Sequence, residues 1–90
     1  MKKAVLTVLG HDRVGIMAKV CTFLADHDIN ILDIDQSIIS GYFNMVMVVD
    51  LAGANAPLGE TVEGLYAVGE ALGVQIKLQR EEIFNAMHRI

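Results

Sequence analysis

Cysteine occurs once and proline once in this chain of 90 residues. The lone Cys21 excludes an internal disulfide and suits a reducing interior. No apolar stretch approaches the roughly 20 residues that a membrane span needs. Lys2 and Lys3 open the chain, but the alternation that follows breaks at Gly10, unlike the apolar core of a secretory leader. Basic charge is also short, with 7 Lys and Arg against 11 Asp and Glu and a net charge of −4. The basic residues are scattered, so the footprint that a nucleic-acid backbone requires is missing. Catalytic groupings are missing as well. No nucleophile stands beside a base, no His/Cys spacing suits zinc, and no glycine-rich phosphate loop occurs. These absences lead us to expect a cytoplasmic domain with no cofactor, metal, membrane or nucleic-acid partner, and not an enzyme.

Hydrophobic residues make up 53% of the chain, above the ~45–50% of an ordinary globular domain. A domain this small has few fully interior positions for so many aliphatics. Part of the apolar surface is therefore expected to be covered by a partner, most simply a second copy.

The periodicity lays out the elements. Lys3–Leu9 is apolar on both parities, the mark of a central strand covered on both faces, and Gly10 is expected to end it. From Val14 to Asp28 the period becomes helical, with Met17, Val20, Cys21 and Leu24 on one stripe and Asp12 as the expected N-cap. Ile29–Ser40 and Tyr42–Leu51 read as two strands joined by a turn at Ser40-Gly41. Met45 and Met47 share the parity of Phe43 and Val49, so they read as core or interface filling. Ala52–Pro57 is a loop by composition. Leu58–Leu72 has Leu58, Val62, Leu65, Tyr66, Gly69 and Leu72 at helical spacing, and Gly73 is expected to close it. Val74–Gln79 alternates as a strand, and Glu81–Ile90 places Ile83, Phe84, Met87 and Ile90 on one side of a short helix.

This order is the α+β, ferredoxin-like βαββαβ arrangement. The two-sided apolar strands, first and third, belong at the centre, and the half-polar second and fourth belong at the edges. The expected sheet order is 4-1-3-2, with both main helices on one face. Residues 1–80 form the domain. Residues 81–90 add a helix that either covers the open face of its own sheet or crosses to a partner.

The sharpest feature is the junction His11-Asp12-Arg13-Val14-Gly15-Ile16. A helix N-terminus leaves N–H groups without partners, and its dipole favours an anion. Donors near Val14–Ile16 can hold a small carboxylate, and Gly15 lets a ligand approach the backbone. The Asp12 carboxylate suits an ammonium group. An α-amino acid carries both charges and fits this junction better than a simple acid or a phosphate.

The D-x-x-G-[IVL] pattern over Asp12–Ile16, the Asn30-Ile31 pair and the element order together resemble the ACT family of amino-acid-sensing regulatory domains. The resemblance runs from Lys3 to Gln79. The Tyr42–Met45 and Ile83–Met87 stretches are also similar to small single-domain ACT proteins of uncharacterised function. It implies a stand-alone regulatory module working as a homodimer. The ligand site would be His11, Asp12, Val14, Gly15 and Ile16 of one copy, completed by Asn30 and Ile31 of the other.

Plainer readings stand beside these. Asp12 and Gly15 also serve as a cap and a close-packing residue, and His11, His27 and His88 read as exposed loop histidines. Asp33 and Asp35 share a strand face and could ligate a cation, but charges that guard an edge strand are the better account. Cys21 reads as a small core residue. The alternative function is an adaptor with an unoccupied site that docks on a regulated enzyme or regulator.

Overall fold

The computed structural model describes residues 1–87. Its elements run β1 (Lys3–His11), α1 (Ile16–Asp26), β2 (Asn30–Ile39), β3 (Tyr42–Asp50), α2 (Leu58–Leu72), β4 (Val74–Arg80) and α3 (Glu81–Met87). Strand alternation puts Ala4, Leu6 and Val8 of β1 on one face, and Phe43, Met45, Met47 and Val49 of β3 on the same face. The antiparallel register opposes Leu6 to Met47 and Val8 to Met45, so the two rows form one apolar surface. Ile16, Val20 and Leu24 of α1, with Leu65 and Leu72 of α2, close over it. Each such buried side chain contributes about 1.5–3 kcal/mol. The two methionines are therefore core residues.

The sheet order is β2-β3-β1-β4, the one expected from the two-sided strands. All ten residues of β2 are exposed, which fits an edge. A bulge lies between Ile31 and Asp33. The turn into β3 has positive φ at both Ser40 (52°) and Gly41 (82°), the twist that suits a two-residue hairpin.

Three expectations need correction. Gly10 does not end β1, which continues to His11 and pairs there with Tyr42. Gly10 is a close-approach residue, because a Cβ on it would lie 2.7 Å from Val74 Cγ1. The first helix runs from Ile16 to Asp26, not from Val14 to Asp28. Gly15 at φ 94° and Asp28 at φ 55° lie outside right-handed helical space and bracket it. On α2 the buried face is Thr61, Leu65, Gly69 and Leu72, while Leu58, Val62 and Tyr66 turn to solvent. Gly73 closes α2 in the left-handed conformation, as expected.

The terminal helix packs against β1 and β4 and touches neither α1 nor α2. That places α3 on the second sheet face, where Val5 is 5% exposed and stands outside the main core. The Ile90 position of the expected apolar side lies outside the described residues.

Candidate functional site

The junction between β1 and α1 is held by its backbone. The Asp12 N–H donates to the Gly41 carbonyl at 2.8 Å, tying the loop to the hairpin tip. Gly15, not Asp12, is the N-cap of α1, and no side chain caps the helix. Between Asp12, whose N–H is committed to Gly41, and the first helical residue stand three more residues, and the Asp12 carboxylate makes no cap bond to the helix. Asp12 is exposed, and its carboxylate has no hydrogen-bond or ion-pair partner among the described residues.

The first bond of α1 is Lys19 N–H to the Gly15 carbonyl at 2.9 Å. The preceding N–H groups are helix-end donors that face a loop without a cap. Nothing lies within 4 Å of where a Gly15 Cβ would be, so Gly15 itself faces open space. Val14 is 99% exposed at the loop tip, whereas Ile16 is 2% exposed and anchors the helix start in the core.

The expected site residues do not all meet within one chain. His11 pairs with Tyr42 and Tyr42 with Ile39 at one end of the sheet, while Asn30 and Lys3 pair with Asp50 at the other. Eight residue steps at ~3.3 Å separate these ends by roughly 26 Å. Asp12–Ile16 and Asn30-Ile31 of one chain therefore cannot share a small ligand.

His11 is drawn to the side of the loop. Its ring stacks on Tyr42 with centroids 4.7 Å apart. Together they border a notch of about 490 Å³ that reaches Glu70 and Gly73 at the end of α2 and Gln75 of β4. Sequence reasoning missed Arg13, whose Nη1 donates to the Leu72 carbonyl at 3.0 Å. The guanidinium thus sits on the negative end of α2, whose last turn carries no basic residue of its own. Its partner is 59 positions away along the chain, so no local pattern could have revealed it.

The other candidates take structural places. His27 is not a free loop histidine. Its ring stacks on Phe23 at 3.9 Å, and its Nδ1 donates to the Phe23 carbonyl at 2.8 Å. His88 lies outside the described residues. Cys21 is half-buried and packs against the core. Asp33 accepts the Ile34 N–H at 2.8 Å. No group of three metal-binding side chains forms among the described residues. Asp50 accepts the N–H groups of Ala52 and Lys2, which hold its carboxyl below the ordinary range. A hydrogen bond to Glu70 raises the Tyr66 phenol. No helix among the described residues is long and apolar enough to cross a membrane.

The family model described as the ACT domain matches residues 2–79. A UPF0237 protein of Bifidobacterium longum is 56% identical over 90 residues and is covered in full, as this chain is. A UPF0237 protein of Methanopyrus kandleri is 46% identical over the same full lengths. Among solved structures, an ACT domain protein from Streptococcus pneumoniae superposes with a TM-score of 0.81 at 36% identity, covering 97% of this chain and 98% of that one. The regulatory subunit of aspartate kinase from Thermus thermophilus gives a TM-score of 0.66 at 28% identity, covering 87% of this chain and 50% of that one.

Proposed function

We propose that this chain, which belongs to the ACT-domain family, is a regulatory module that binds a small amino acid as a homodimer. The observation that carries the reading is the start of α1 on Gly15, with no capping side chain and open space above it. An α-carboxylate is the natural ligand for such helix-end donors. The unpartnered Asp12 carboxylate offers a mate for the ammonium group of the same ligand. Val14 stands exposed beside the two charges, Ile16 offers only its backbone N–H, and His11 borders the approach. The fold shared with an aspartate kinase regulatory subunit supports the regulatory direction.

The second copy is called for by two features. β2 exposes Ile31, Leu32, Ile34, Ile38 and Ile39 along an unpaired edge, a surface that soluble proteins cover. The second is the distance between the two halves of the site. A two-fold axis beside β2 sets the edge strands antiparallel, so that the Gly15 end of one protomer meets the Asn30-Ile31 end of the other. α1 is in contact with β2, the strand beside the axis.

The test is a thermal-shift and calorimetric screen against the common amino acids at millimolar concentration. One or a few should raise the melting temperature and bind once per loop. Asp12→Ala should remove the response while leaving the ligand-free melting temperature nearly unchanged. A flat screen across all of them would refute the reading.

A further inference from the structure

The far end of the sheet, away from the Gly15 loop, holds a cleft of about 890 Å³ between the β3–α2 loop and α3. This lies within the ~300–1,000 Å³ of small-molecule sites. Its origin is visible in the side chains. The loop presents Ala52, Ala54, Ala56 and Pro57, none long enough to fill the space, while α3 rises on the opposite wall with Asn85. Around the space stand Lys2, Lys3 and Arg80, three of the seven basic residues in a chain of net charge −4. They come from the first residues of the chain and the end of β4, and the antiparallel β1–β4 pair brings them together.

Two carboxylates also line the cleft, Glu81 and Glu82. Both lie in the first turn of α3, where they favour the helix dipole. Glu82 is paired with Arg80 at 3.6 Å. Asp50 stands beside Lys2 and keeps its negative charge, its carboxylate held ionised by the backbone N–H groups of Ala52 and Lys2. Three cations thus stand against three carboxylates, but neither Lys2 nor Lys3 is held in a side-chain ion pair among the described residues, and the alanine side is apolar.

We propose that this cleft binds a small organic anion. Lys2 and Lys3 hold its oxyanion head, with Arg80 shared between the ligand and Glu82. An apolar body lies over Ala54, Ala56 and Leu58. The site is separate from the Gly15 loop, and the fate of either proposal leaves the other standing.

Phenylphosphate titrated into ¹⁵N-labelled protein at low salt, with inorganic phosphate as control, tests it. Shifts should be confined to the amides of residues 2–3, 52–56, 58 and 80–85, and phenylphosphate should bind at least about tenfold more tightly than inorganic phosphate, the effect of a modest apolar contact. Ala52→Leu fills the cleft at an exposed position without changing charge, and should abolish the preference for phenylphosphate. Lys3→Ser combined with Arg80→Ser should weaken both anions. Phenylacetate distinguishes a carboxylate head from a phosphate head, and confinement of either to the cleft supports the site. Equal shifts around Lys19 and Lys77, equal affinity for the two phosphates, or indifference to Ala52→Leu would each overturn it.

Discussion

Gly15 and Asp50 show how much a single residue decides at the two ends of this sheet. Gly15 sits at φ 94° with nothing near its missing Cβ. A larger residue there meets no neighbour, and its cost is backbone strain alone, about 1–2 kcal/mol. Gly15→Val should lower the unfolding free energy read from urea denaturation by that amount, and Gly15→Asn by less, because asparagine tolerates positive φ. Asp50 makes a prediction about pH. Its folded carboxyl lies below the ordinary carboxylate value because Ala52 first, and then Lys2, donates a backbone N–H to it. Such a group contributes stability that is present above the unfolded value and is lost as pH falls through the folded one. Asp50→Asn should therefore flatten the acid limb of the melting-temperature profile below about pH 4. It should leave the neutral-pH slope unchanged.

At the scale of elements, α1 and α2 approach each other through Phe23 and Gly64. A Cβ on Gly64 would stand 2.6 Å from Phe23 Cε2. The same ring carries the His27 stack that finishes α1. Gly64→Ala should cost about 1–3 kcal/mol through overpacking. In a Phe23→Leu background most of that cost should vanish, since the obstructing ring edge is gone. A denaturation double-mutant cycle measures the coupling, and strict additivity would show that the helices do not meet there. Arg13 adds a longer tie between elements. It joins the β1–α1 loop to the end of α2 through one side chain.

For the whole molecule, the separation of Asp12–Ile16 from Asn30-Ile31 along the sheet makes the proposed site a property of two chains. Asp12→Ala spoils one half and Asn30→Ala the other. Each variant alone should fail to bind the amino acid found by the screen. Mixed after dissociation and reassociation, the two should recover roughly a quarter of the sites, because half the dimers are mixed and each of those has one intact site. Calorimetric stoichiometry reads this directly, and no recovery would refute a site shared between two chains. Ile34→Lys, on the exposed edge, should shift the sedimentation coefficient to that of a monomer.

The strand and helix order, the sheet order and the two methionines in the core were legible in the sequence, because each rests on local periodicity. A strand apolar on both parities has to lie between neighbours wherever it falls in the chain. Cap geometry was not legible. Asp12 had the right residue type for an N-cap, but the hydrogen bond of its N–H to Gly41, across 29 positions, moved the helix start to Gly15. The partner of Arg13 and the gathering of Lys2, Lys3 and Arg80 around one cleft were equally hidden. Those contacts depend on strand register and on where helices end. The sequence by itself determined which faces must be buried. The tertiary structure alone decided which distant residues those buried faces bring together.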